Sequence, residues 1–219
     1  MDRLPFDPYD FFGYLASGLL LVVGMELTLG FPRVLGQDLK IVDMAVLLLG
    51  IYVAGQILAT PAKALLEDLL LGKILCRPSI NLFREKRPWV RGFLFPGFYT
   101  PLPEPVQKKV RCRAQREGTS AAGEDLFLHV RYCPDILKDD KLMAKLDSFR
   151  NKYGFARNLA FTSLVFATAS AMKASLGSNP ELVRYAAAVL AAGVLLFYRY
   201  LKFFRQYSYE MFNTYGGVE

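Results

Sequence analysis

Four stretches of almost unbroken apolar sequence decide most of what this chain can become: Phe11 to Phe31, Ile41 to Ala59, Leu159 to Gly177 and Leu182 to Leu201. Each is close to the roughly 20 residues that a helix needs to cross the hydrocarbon core of a bilayer. Backbone N–H and C=O groups in lipid must be satisfied within their own segment, so runs of this length are read as helices. The few charges in them lie near the ends: Glu26, Asp43, Lys173, Arg184 and Arg199. There, long side chains snorkel and carboxylates reach water. The hydrophobic share of 53% exceeds that of an ordinary soluble domain. The acidic start "MDRLPFDPYD" has two prolines and lacks the basic region of a cleavable signal peptide.

Positive charge is concentrated between the second and third runs. From Lys73 to Arg116 there are eleven cations and two carboxylates, a net +9 against +7 for the whole chain. The links between runs one and two and between three and four hold only Arg33 and Lys40 as cations. By the positive-inside rule, the long middle region and both termini face the cytoplasm. Helical spacing continues beyond three of the runs: through "KALLEDLLLGKIL" after a kink at Pro61, through an amphipathic "DDKLMAKLDSFRNKYGFARN", and through "YRYLKFFRQYSYEMFNTY" as far as Gly216-Gly217. In the amphipathic segment Leu142, Leu146, Phe149 and Tyr153 form one stripe. The Pro-rich "FPGFYTPLPEP" and the small polar "EGTSAAGED" read as loops, and "LFLHVRY" reads as a strand.

The expected fold is therefore a mainly α membrane protein. Its four transmembrane helices extend as cytoplasmic stalks, and a small basic cytosolic domain is inserted between helices 2 and 3. The expected divisions are 1–76 (helices 1 and 2 with a stalk), 77–138 (the basic domain) and 139–219 (amphipathic stalk, helices 3 and 4, C-terminal stalk).

Candidate chemistry is sparse. His129 is the single histidine, and the chain has no nucleophile motif, glycine-rich phosphate loop or HExxH, so an enzyme is not the expectation and no cofactor is implied. Cys76, Cys112, Cys133 and His129 form a formal zinc set, but the short CxxC pair of structural zinc sites is missing. In a cytosolic region the three cysteines are expected as thiols. The basic segment carries the binding candidates Arg84, Lys86, Arg87, Trp89, Arg91, Lys108, Lys109, Arg111 and Arg113. Cations interleaved with aromatics suit a nucleotide or short single-stranded nucleic acid, with rings on bases and guanidinium or ammonium groups on phosphates. Anionic lipid and an acidic protein partner are the alternatives. Glu26 and Asp43 would form carboxylate rings at a pore mouth in a symmetric oligomer, or else simply reach the interface or pair with Arg33 or Lys40. Small residues such as Gly13, Ser17, Gly24, Gly50 and Gly55 suit close helix packing.

The start "FDPYDFFGYLASG", the re-entry "RNKYGFARNLAFTSLVF" and the tail "YRYLKFFRQYSYEMFNTY" resemble four-span membrane effectors of bacterial anti-phage defence. The likeness is strongest to the Hailong-type ion-channel effector, with the Kiwa membrane component a second likeness, and it covers the whole chain in architecture. The resemblance implies a homo-oligomer, with a tetramer favoured, in the bacterial inner membrane. It implies a pore controlled by a nucleotide or oligonucleotide made by a soluble nucleotidyltransferase from a companion gene. The alternative function is a non-channel membrane adaptor or sensor that recruits a soluble protein through the basic region.

Overall fold

The computed structural model describes residues 8–30, 40–84, 89–177 and 180–217, the side chains of 8–10 and 91 excepted. Among the described residues, nine α-helices and one π-helical segment account for the regular structure, and there is no strand. In order they are α1 (Pro8–Leu29), α2 (Ile41–Ala62), the π-helical segment (Lys63–Leu75), α3 (Pro78–Asn81), α4 (Trp89–Leu94), α5 (Glu104–Arg116), α6 (Glu124–Arg131), α7 (Pro134–Leu137), α8 (Asp140–Gly177) and α9 (Pro180–Gly217). Four of these helical stretches are long and apolar enough to cross a membrane, and they cover the four apolar runs of the sequence, the first as far as Leu29.

The chain divides into two compact units, Met1–Leu69 with Gly154–Tyr200, and Leu70–Tyr153 with Leu201–Glu219. Helices α8 and α9, of 38 residues each, contribute to both.

In the first unit the packing is set by small residues. A Cβ on Gly18 would lie 1.8 Å from the Ile51 carbonyl oxygen, and one on Gly55 would lie 1.8 Å from that of Tyr14. No side chain fits at either position, so α1 and α2 meet backbone to backbone. Gly24 sits against the Phe166 ring, and Gly193 sits against Ser163. Lys173 on α8 donates to the Leu27 carbonyl near the end of α1, a cation at the negative pole of that helix. Arg157 and Glu67 pair at 2.6 Å with side chains only 13% and 17% exposed. Meanwhile Ile41, Val42, Leu49 and Ile57 of α2 are exposed. Exposed apolar side chains of this kind are costly in water and suit a hydrocarbon environment.

The second unit has a conventional apolar core. Leu82, Phe83, Leu102, Val110, Ala114, Leu126, Val130 and Ile136 pack with Leu142 and Leu146 of α8 and with Tyr207, Met211, Phe212 and Tyr215 of α9. The stripe expected before the third span is present: Leu142 and Leu146 are buried, and Phe149 and Tyr153 pack at the edge of the core. Lys145 on α8 bridges to Glu210 on α9 at 2.8 Å.

Two local expectations are corrected. The segment "LFLHVRY" forms no strand. Leu126 to Arg131 belong to α6, because the buried pair Leu126 and Val130 is spaced by four rather than two, and Gly123 at φ 92° opens the helix ahead of the acidic turn Glu124-Asp125. The path after Pro61 is helical as expected, but it widens into π-helix from Lys63. Proline supplies no N–H to the α-helical ladder, which disturbs the turn where the change begins. The π-helical segment is followed by Cys76, the one non-glycine residue with positive φ (62°) among the described residues. Its last carbonyls are capped from a distance: Asn81 Nδ2 donates to Cys76 O at 3.0 Å, and the Tyr99 hydroxyl donates to Leu75 O at 2.7 Å.

Candidate functional site

Helix α5 organises the basic groups of the second unit. Pro103 and Pro105 fix its start, and Glu104 lies in its first turn. Val106, Val110 and Ala114 recur every four residues and face the core. The helical period then forces Lys108, Cys112 and Arg116 onto the opposite side, with Lys109 and Arg113 beside them. These five residues line an open cavity of about 720 Å³, closed by Glu117, Asp135 and Gly216. A Cβ on Gly216 would come within 2.9 Å of Val110 Cγ2, so a larger residue there would force Val110 to shift.

A second cavity, of about 340 Å³, is lined by Arg84, Lys108 and Arg111 with Pro101, Leu102, Glu104 and Gln107. Lys108 thus borders both. Volumes in this range hold small ligands.

Arg113 is occupied within the fold. Its Nε donates to Glu117 Oε1 at 2.8 Å, its Nη1 donates to the Tyr215 carbonyl at 3.0 Å, and its Nη2 donates to Asp135. The guanidinium also lies over the Tyr215 ring, 4.4 Å from its centre. Burial alone would lower the Arg113 pKa, but the two carboxylates hold it raised. Glu117 is the hub on the acidic side. Besides Arg113 it accepts from His129 Nε2 at 2.6 Å and from the Tyr215 hydroxyl at 2.7 Å. Burial would raise its carboxyl, but the hydrogen bonds from Arg113, His129 and Tyr215 outweigh this and bring it down to about 2. The lining of the larger cavity carries four cations, Lys108, Lys109, Arg113 and Arg116, against two carboxylates, Glu117 and Asp135.

The candidates named from sequence therefore separate. Lys108, Lys109 and Arg113 meet in one cavity, and Arg84, Lys108 and Arg111 meet in the other. Arg111 donates to the Phe83 carbonyl at 3.4 Å and lies over that ring, while Arg84 reaches Cys76 Sγ at 3.6 Å. Trp89 is exposed on α4 and lines neither cavity. Lys86, Arg87 and the Arg91 side chain lie outside the described residues. Among the described residues no aromatic side chain lines the larger cavity, so its lining offers cationic groups and no surface for ring stacking. Glu26 is half-buried on α1, and Asp43 is exposed in the first turn of α2, where a carboxylate complements the helix dipole. Arg33, a partner that the sequence offered them, is outside the described residues. No group of three or more metal-binding side chains occurs among the described residues.

Sequence reasoning passed over Glu117 and Tyr215, and it weighed His129 only as a metal ligand. Arg113 and Glu117 are four apart on one helical path, which is a readable signal. The approach of Tyr215 is not, because it comes from the other end of the chain.

Fold and site together define an all-helical protein with four helices long and apolar enough to cross a membrane, and with a cation-lined cavity outside the apolar runs. No protein-family model matches the chain, and no curated protein or solved structure matches it either.

Proposed function

We propose that this protein is an oligomeric bacterial inner-membrane effector of anti-phage defence, an ion channel whose state is set by an anionic nucleotide or oligonucleotide held on a basic cytosolic region. The observation that supports the reading is the α5 cavity, where Lys108, Lys109 and Arg116 add positive charge beyond what Glu117 and Asp135 balance. Phosphates are the natural ligands of such a cluster.

The same unit contains the ends of two helices, α8 and α9, that each carry an apolar run. A ligand that prefers one arrangement of those helices would bias a closed or an open pore, to the extent of its differential affinity. The basic middle region and both termini face the cytoplasm in this reading, by the positive-inside rule. A soluble nucleotidyltransferase from a companion gene would supply the ligand.

Purification from native membranes in mild detergent, with mass measurement and analysis of small molecules released on denaturation, tests the proposal. A symmetric oligomer that releases a nucleotide or oligonucleotide supports it. A monomer that releases no phosphate-bearing species contradicts it.

The adaptor alternative draws less support. The Pro-rich "FPGFYTPLPEP" that would serve as its docking peptide has Phe98, Tyr99 and Leu102 buried in the second unit.

A further inference from the structure

In sequence, α4 lies between two buried anchors of the second unit. Leu82 and Phe83 are buried on one side, and Phe98, Tyr99 and Leu102 are buried on the other. The Leu102 N–H donates to the Leu82 carbonyl at 2.9 Å and ties the two anchors together. On α4, Trp89 is 90% exposed, Phe93 85%, Val90 60% and Leu94 51%. At 100° per residue, these four positions fall within an arc of about 140° on the helix. A short helix with all its large apolar residues on one exposed face is costly in water.

We infer that α4 is a membrane-interface anchor, whose Trp89–Phe93 face inserts at the headgroup level of a bilayer containing anionic lipid. Charge complementarity favours lipid as the occupant. The sequence from Arg84 to Arg91 carries four cations against the single carboxylate Glu85, which suits an anionic leaflet. Aromatic rings with cations beside them are the composition of interfacial segments. Trp89 thus belongs to a lipid contact, and the phosphate chemistry of α5 stands apart from it. The inference goes beyond the channel proposal and rests only on the chain residing in a membrane.

Trp89 is the only tryptophan of the chain, so its emission reports on this site alone. The full-length protein is reconstituted into vesicles of phosphatidylcholine and phosphatidylglycerol, with either plain or brominated acyl chains. We expect the brominated vesicles to remove most of the Trp89 emission while aqueous acrylamide removes little. Omitting phosphatidylglycerol, or substituting Phe93→Ser, should weaken the lipid quenching while the protein still floats with the vesicles. Emission that responds to acrylamide and not to bromine overturns the inference. So does emission shielded from both quenchers, which would mean that a second copy of the chain or another protein covers α4. Protein that fails to float overturns it as well and, unlike the other two results, removes the membrane reading with it.

Discussion

Arg157 reaches Glu67 from α8 with an Nη1–Oε2 distance of 2.6 Å, and the same guanidinium donates to the Asn158 side-chain oxygen. Both members of the pair are largely buried, so removing one strands the other without water. Arg157→Ala should cost about 3 kcal/mol of stability, and Arg157→Lys should recover only part of it because a compact ammonium lacks the planar fork that reaches both acceptors at once. Denaturant unfolding in detergent checks this. Loss of less than half that amount would mean that solvent reaches the pair.

The approach of α1 to α2 at Gly18 and Gly55 leaves no room for a methyl group. Gly18→Ala or Gly55→Ala must push the helices apart, at about 2–3 kcal/mol each. Since each glycine faces the partner helix's backbone, the double variant should cost less than the sum of the two. Thermal unfolding of the four proteins in one detergent supplies the comparison.

These glycines show what the sequence could say. The apolar runs announced four membrane-length helices and the small residues within them. What stayed hidden was relational. Nothing local distinguishes Gly18 and Gly55, which touch a partner backbone, from Gly50, which faces open space. The segment "LFLHVRY" is rich in strand-forming residues, yet its burial follows the helical period because Leu126 and Val130 meet one core. At the candidate site, Lys108 and Lys109 could be named from charge alone. The role of Arg113 depended on Tyr215, about a hundred residues away, and on Asp135. Trp89 and Lys108 looked like one aromatic and basic cluster in sequence, but they lie on separate helices with different surroundings.

Cys76 occupies a backbone region that suits glycine. A side chain there costs about 1 kcal/mol, so Cys76→Gly should stabilise the protein, less whatever glycine's greater freedom in the unfolded chain takes back. Cys76→Val should destabilise it by more than that amount, since a β-branched residue tolerates positive φ least. Unfolding midpoints for the two variants decide the matter.

Acid should loosen the second unit through Glu117. Its carboxyl is depressed from 4.5 to about 2, so its contribution is fully present above pH 4.5 and is lost as pH falls toward 2. Because the side chain is 33% exposed, solvent screening limits the effect to about 1 kcal/mol. Glu117→Gln should flatten the stability–pH curve over that interval. An unchanged curve would show that other carboxylates set the acid limit.

On the basic face, substituting Lys108, Lys109 and Arg116 together by glutamate should weaken binding of a mixed-sequence single-stranded oligodeoxynucleotide. The slope of log affinity against log salt should fall by about 2, the share expected of three lost phosphate contacts on a single strand. Trp89→Ala should leave that slope unchanged. Filter binding over a range of potassium chloride concentrations provides both values.

Ion flux is the most direct test of the gated-pore reading. Full-length protein reconstituted into potassium-loaded liposomes would be assayed for potassium release with and without the same oligodeoxynucleotide and with a nucleotide triphosphate. We expect release above that of protein-free liposomes in at least one condition, and a change on adding an anion that disappears in the Lys108, Lys109 and Arg116 triple variant. Liposomes that stay sealed under every condition would contradict the channel.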